Sequence, residues 1–323
     1  MRIGARAIHS LFLLLLPLIV AVFGLGFGTA LLLVFALLLW RWGLSLQAIL
    51  PSRAGPELCL ETIGASHFVE KVRWSMDRLG VEYEERQNAG VLGAFFVGRT
   101  VPKLHVRTGM VISAIGNSSD ILRYLWGRYA TEYGERAAFL APTAEALELE
   151  KQLDLYGRYM QQWIYHHILP HRSLTLHAWG CDDPSLPAWQ RGIVRLGFPL
   201  LRTLMRRAFR LSAATHDKTL ARAGDFLQVI EERLEDGRTT LLGGSEISFV
   251  DITFASLSGL WIFPDNYGGG KADRVTPHGL EVPAQMQAEV DAWRQCFPRV
   301  VALVERLYAT ERLPAAAVKP VSV

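Results

Sequence analysis

Ser66 opens the run Ser66-His67-Phe68-Val69-Glu70-Lys71-Val72-Arg73-Trp74, directly after an apolar, strand-like stretch from Glu57 to Ile63. A hydroxyl in that place stands at the N-terminus of the first helix after a strand. Unpaired backbone N–H groups and the helix dipole favour an anion there. The chemistry that suits such a place is the holding of a thiolate; the alternative is a serine that caps its own helix.

Further residue groups bear on chemistry. Tyr156, Tyr159 and Trp163 follow one another at spacings of four residues or fewer on one helical face, which suits either the wall of an apolar cleft or a packed core. His166, His167, His171 and His177 invite a metal reading, but Pro170 interrupts the helix between the second and third, and no cysteine or carboxylate stands at a zinc-like spacing. No metal is expected. Between Asp183 and Asp217 lie Arg191, Arg195, Arg202, Arg206, Arg207 and Arg210 without one acid, interleaved with Leu, Phe and Met. That stretch reads either as an interfacial helix on anionic lipid or as a solvated basic face.

The elements that must position Ser66 can be read on either side of it. Val101-Pro102 enters an apolar strand, Lys103 to Arg107; a Thr108-Gly109 turn and a second strand, Met110 to Ala114, complete a hairpin. Asn117-Ser118-Ser119-Asp120 supplies polar cap residues before the helical run Ile121 to Trp126. Strand, helix, strand, hairpin, helix is the order of a thioredoxin-like half-domain. Gly134 to Pro142 reads as a linker, and from Thr143 onward the pattern is helical. Lys218 to Leu234 is amphipathic and Gly237 follows as a left-handed cap. Ser248 and Asp251 stand three apart before another apolar helical run, the spacing of a capping box.

With these motifs in place, the chain resembles the cytosolic-type glutathione transferases over roughly residues 57–310. The resemblance implies that Ser66 activates the glutathione sulfur and that a cis Val101-Pro102 offers backbone to the cysteinyl part of glutathione. It also implies that Asn117 and Ser118 hold the γ-glutamyl end. His67 stands where the family commonly has proline, and Asn117 where it usually has an acid. The activity implied is conjugation of glutathione, as co-substrate, to an electrophilic, apolar compound in a cleft walled by Tyr156, Tyr159 and Trp163. A non-catalytic binding or scaffold module of the same fold is the alternative, and a homodimer is implied by the family alone.

Composition sets the outer bounds. The chain has 323 residues, half of them hydrophobic, and from Ser10 to Trp40 there is no charged residue. Such a run exceeds the ~20 residues of one span. It predicts a retained membrane anchor, either one tilted helix or a hairpin broken at Gly24 to Gly28, with the globular part facing the cytoplasm. Arg2, Arg6, Arg41 and Arg53 flank this segment, and it holds no acid, so the net charge of +3 comes from the flanks. No nucleic-acid partner is implied. Cys59, Cys181 and Cys296 are odd in number and far apart, which excludes a disulfide framework and fits a reducing compartment. The expected fold class is α+β. Its parts are a membrane helix or helical hairpin with flanks (1–53), a thioredoxin-like glutathione-binding domain (54–132), a linker (133–142), an all-α domain (143–312) and a flexible tail (313–323).

Overall fold

The computed structural model describes residues 15–24, 26–47, 55–90, 101–109, 111–276 and 280–312. Arg2, Arg6, Arg53, Met110 and the tail 313–323 lie outside the described residues. Contacts cluster into two compact units, residues 1–57 with 106–113, and residues 58–105 with 114–323. The second carries every site residue anticipated from the sequence.

The apolar N-terminal run does not form one continuous helix. Residues 15–22 are helical; Gly24 and Gly26 then adopt φ of +73° and +82°, and α1 (Phe27–Gln47) starts afresh. Only the part of α1 before Arg41 is free of charge, about 21 Å at ~1.5 Å per residue, against a hydrocarbon core of ~30 Å. Among the described residues no helix is long and apolar enough to cross a membrane, which corrects the expectation of a spanning anchor and of a membrane-anchored location.

From Glu57 onward the described chain is mixed α+β. Strands β1 (Glu57–Thr62), β2 (Tyr83–Gln87), β3 (Lys103–Thr108) and β4 (Val111–Gly116) form one sheet in the order β2-β1-β3-β4. β1 pairs with β2 in parallel, from Leu58 opposite Tyr83 to Thr62 opposite Gln87. Parallel neighbours need a crossover, and α2 (His67–Leu79) supplies it. Alternate residues Leu58, Leu60 and Thr62 of β1 are buried, as the period of two requires. Gly80 at φ +73° ends α2 in the left-handed conformation that costs glycine little. α3 (Ser118–Tyr133) follows the hairpin. The segment read as a linker is a short 3-10 helix, Gly134–Leu140, which buries Ala137, Phe139 and Leu140.

The rest is helical: α4 (Ala144–Ile168), α5 (Arg172–Ala178), α6 (Ala188–Ala208), α7 (Ala213–Arg233), α8 (Phe249–Ile262), α9 (Ala284–Cys296) and α10 (Pro298–Thr310). Every residue of α8 is buried, and it packs against α2, α4 and α10. Its start is tied down by Asp251, whose carboxylate accepts from the Leu241 amide (2.6 Å), the Ser248 amide (2.8 Å) and the Ser248 hydroxyl (2.7 Å). A helix that is apolar on all sides presents no polar face to solvent, so it becomes the axis around which the others assemble.

α2 is unusual in another way: Glu70, Lys71, Arg73 and Asp77 are all buried. Each has partners. Arg73 meets Glu85 of β2 at 2.6 Å and Glu70 at 3.3 Å. Lys71 reaches Glu150 of α4 at 3.1 Å and donates to the Ser119 hydroxyl at 2.9 Å. Arg312, past the end of α10, spans Glu70 at 2.7 Å and Asp77 at 2.9 Å. Burial alone would raise Glu85, but the Arg73 guanidinium overrides it and holds the carboxyl below its ordinary value. Removing one partner of such a cluster strands the others. Glu70→Gln is expected to cost about 3–5 kcal/mol in urea unfolding. Arg86→Ala, which breaks the exposed pair with Glu84, is expected to cost under ~1 kcal/mol.

Candidate active site

Ser66 is the N-cap residue of α2, and its carbonyl accepts from the amides of Val69 and Glu70 at 3.0 Å each. Its side chain makes no capping bond. The hydroxyl is therefore not consumed by its own helix, and it borders a cavity of about 720 Å³. Val101, Asn117 and Ser118 border the same cavity, so three separate chain segments anticipated from the sequence converge on it. The Val101–Pro102 peptide is cis; Val101 faces the cavity and Pro102 is buried beside it in sequence.

Asn117 precedes α3 at φ +68°, a conformation that costs a non-glycine residue on the order of 1–3 kcal/mol. Its side-chain oxygen accepts from the Ser119 amide at 3.4 Å, and its amide nitrogen lies 3.5 Å from an Asp120 carboxylate oxygen. A carboxylate thus stands one turn into the helix behind Asn117. Ser118 is almost fully buried at the start of α3, where the first amides have no partner within the helix.

The residue after Ser66 has a structural duty. His67 is buried, and its Nε2 lies 3.0 Å from the Gly157 carbonyl of α4. A carbonyl oxygen can only accept, so the ring carries its proton on Nε2. Gly157 allows this approach: a Cβ there would stand 2.8 Å from two ring carbons of Phe68 and 2.9 Å from Leu257. Burial pushes the His67 imidazole down to about 4, opposed only in part by the bond to Gly157. The ring is neutral at pH 7 and holds the N-terminus of α2 against α4.

Tyr156, Tyr159 and Trp163 do not border the cavity. Tyr156 is fully buried, its hydroxyl 3.1 Å from that of Ser258 and accepting from the Trp261 indole at 3.0 Å. Trp163 is buried and donates to Glu289 at 2.8 Å. Tyr159 is half-buried under Arg222, whose guanidinium lies 5.9 Å from the ring centroid. The cavity is bordered instead by the next face of α4, Gln161, Ile164, Tyr165 and Ile168, and by Leu201, Leu204 and Met205 of α6. The α4 set has the same helical spacing as the aromatic set; spacing identifies a face, and only packing decides which face meets the cavity. Phe263, at φ +51°, and Tyr267 add to the wall from the loop after α8.

The histidines divide. His166 and His167 join His216 of α7 and Glu289 of α9, while His177 lines the cavity with its Nε2 3.0 Å from the Thr276 carbonyl. Ligand atoms of His167, His216 and Glu289 lie within 4.8 Å of one another. The Glu289 carboxylate is already met by Trp163, His167, His216 and Gln285, at 2.8 to 3.0 Å, which occupies its four lone-pair directions. Burial alone would raise this carboxyl; the hydrogen bonds from His167, His216 and Trp163 hold it well below the usual range. The group acts as a hydrogen-bonded hub joining α4, α7 and α9. Burial pushes Cys59 and Cys181 up to about 11, so neither offers a thiolate near neutrality.

The His67 geometry sets a pH dependence. The unfolded ring takes up its proton near 6.5 and the folded one only near 4. Between these values the unfolded state binds the extra proton, so stability falls as pH falls, by up to about 1.4 kcal/mol per pH unit. In urea titrations at pH 7, 6 and 5, His67→Gln, which keeps an N–H donor and cannot titrate, is expected to lose less stability on acidification than the wild type.

No protein-family model and no curated protein sequence matches this chain. Similar solved structures include a glutathione transferase family member from Pseudomonas fluorescens with two glutathione molecules bound, at 15% identity and a TM-score of 0.46 over 82% of this chain and 92% of that one. A theta class glutathione S-transferase from Xanthomonas axonopodis pv. citri, with glutathione bound, is 16% identical with a TM-score of 0.44 over 83% and 99% of the two chains. A maleylacetoacetate isomerase from Anaeromyxobacter dehalogenans, with bound dicarboxyethyl glutathione, is 17% identical with a TM-score of 0.41 over 82% and 91%.

Proposed function

We propose that the protein is a glutathione-transferase-like enzyme that binds glutathione as co-substrate and joins its sulfur to an electrophilic, apolar compound. The observation that carries this reading is the convergence of Ser66, Val101, Asn117 and Ser118 on one cavity, with the Ser66 hydroxyl unused by its own helix. In this reading the peptide around Val101–Pro102 pairs with the cysteinyl backbone of glutathione. Asn117 and Ser118 hold its γ-glutamyl end, with Asp120 supplying the negative charge that Asn117 lacks. A homodimer is part of the same resemblance.

The chemistry asked of Ser66 is modest. A free thiol has a pKa near ~8.5 and is mostly protonated at neutral pH. Lowering it by about two units takes ~2.7 kcal/mol of preferential stabilisation of the thiolate. A hydroxyl donating to sulfur at the positive end of α2 is a source of that order. The thiolate then attacks the electrophilic carbon, a C–S bond forms, and the displaced group leaves with the bonding pair or the adjacent atom takes up a proton. The cavity suits an apolar acceptor, because Ile164, Ile168, Leu201, Met205 and Phe263 border it.

Ultraviolet difference titration of bound glutathione from pH 5 to 9 tests this. The thiol pKa is expected to lie well below that of free glutathione and to return towards it in Ser66→Ala, with conjugation falling at least about tenfold at pH 6.5. Glutathione bound with no thiol shift would overturn catalysis and leave a binding module; no binding at all would overturn the reading entirely.

A further inference from the structure

The outer side of α6 is apolar and exposed, and the catalytic reading does not use it. Val194, Phe198, Leu201 and Met205 pack inward. On the far side Trp189, Ile193, Leu196, Leu200 and Leu204 are all exposed, Leu196 by 86% and Leu200 by 64%. At about 100° per residue, Arg191, Arg195, Arg202 and Arg206 lie beside the packed face, roughly 150° round the helix from these five. The apolar stripe therefore meets no charge until Arg207 at its end. Pro199 withdraws the amide that would bond the Arg195 carbonyl, but Arg172 donates to that carbonyl at 3.1 Å, and the helix continues through its middle.

The spacing along this side reads the same in both directions. Residues 189, 193, 196, 200, 203 and 207 stand four, three, four, three and four apart, symmetric about Phe198, the midpoint of Ala188–Ala208. Alternating threes and fours are the seam of a two-helix contact. A two-fold axis at Phe198 sets a second copy antiparallel and brings Leu196 level with its Leu200. Trp189 comes level with its Arg207, where a guanidinium suits the face of an indole. Leu204 comes level with its Gly192; a Cβ there would have nothing within 4 Å, so the space is open. The arginine rows of the two copies point away from the seam and do not oppose each other across it. Covering the five exposed side chains removes roughly 500 Å² from each copy, about 1,000 Å² in all, which reaches the lower bound of a specific interface.

We propose that α6 pairs with α6 of a second copy of this chain in an antiparallel, two-fold contact along the stripe. The same patch serves both copies, so the contact closes as a pair and does not propagate. Leu204 also borders the cavity, so the second copy stands at the cavity's rim. The contact holds whether or not glutathione is the ligand.

The test uses the full chain in a Cys296→Ser background with new cysteines on α6 only, so that association through other surfaces does not supply the signal. Burial keeps Cys59 and Cys181 protonated at neutral pH, and they react slowly. In the antiparallel pair residue 196 is level with residue 200 of the other copy, whereas like residues are offset by about 6 Å along the axis. Leu196→Cys mixed with Leu200→Cys is therefore expected to form the mixed disulfide at least about tenfold faster than either variant bridges to itself. In sedimentation, Leu196→Glu with Leu200→Glu is expected to weaken self-association more than about tenfold, because carboxylates then face each other at the centre of the seam. Adding the Leu196→Lys, Leu200→Lys chain is expected to restore pairing, which a misfolded variant would not do. Equal rates for the three cysteine pairings, or faster bridging between like residues, overturn the proposal. Self-association unchanged in the acidic variant does so too, and no bridging in any pairing assigns the stripe to another occupant.

Discussion

A helix that buries Glu70, Lys71, Arg73 and Asp77 must find an opposite charge for each, because an unpaired charge away from water costs far more than a domain's net stability can absorb. Much of the second unit follows from that demand. Glu85 must lie where β2 brings it to Arg73, Glu150 must rise from α4 to Lys71, and the chain after α10 must return so that Arg312 meets Glu70 and Asp77. Apolar contacts permit sliding; ion pairs with several fixed partners do not. The cluster thereby sets the register of α2 against the sheet, the long helix and the end of the last helix.

This register matters because Ser66 stands at the N-terminus of α2. The hydrogen bond from His67 to Gly157 and the space left by the missing Gly157 side chain draw the first turn of α2 against α4. Lys71, one turn later, binds both Ser119 of α3 and Glu150 of α4. The start of α2 and the start of α3, which carry Ser66 and Ser118, are thus tied through a single lysine. A cavity edge built on helix starts fixed in this way is preorganised by the same interactions that stabilise the fold.

α6 plays a different part. Its inward face closes the cavity and its outward face leaves leucines in solvent.

The local elements around Ser66 were legible in the sequence because they depend on short-range rules: an apolar stretch before Ser66, a Thr108-Gly109 turn between two strands, cap residues before α3, an acid three residues past Ser248. The order of these elements pointed to the sheet topology found. What lay beyond local rules was decided by tertiary packing. The aromatic set Tyr156, Tyr159 and Trp163 and the set Gln161, Ile164 and Ile168 have the same helical spacing, and only the packing of α4 against its neighbours sent the first away from the cavity and the second to it. Within its own helix His167 meets only the rings of Trp163 and His166; its hydrogen-bond partner Glu289 and its neighbour His216 come from elements far along the chain. The long apolar run near the N-terminus reads by composition as a span, yet backbone angles at Gly24 and Gly26 divide it. A sequence determines periodicity, caps and charge, which are properties of neighbours; which face is buried, and which distant charge meets which, are set by the packing of whole elements, where burial free energy is shared among residues far apart in the chain.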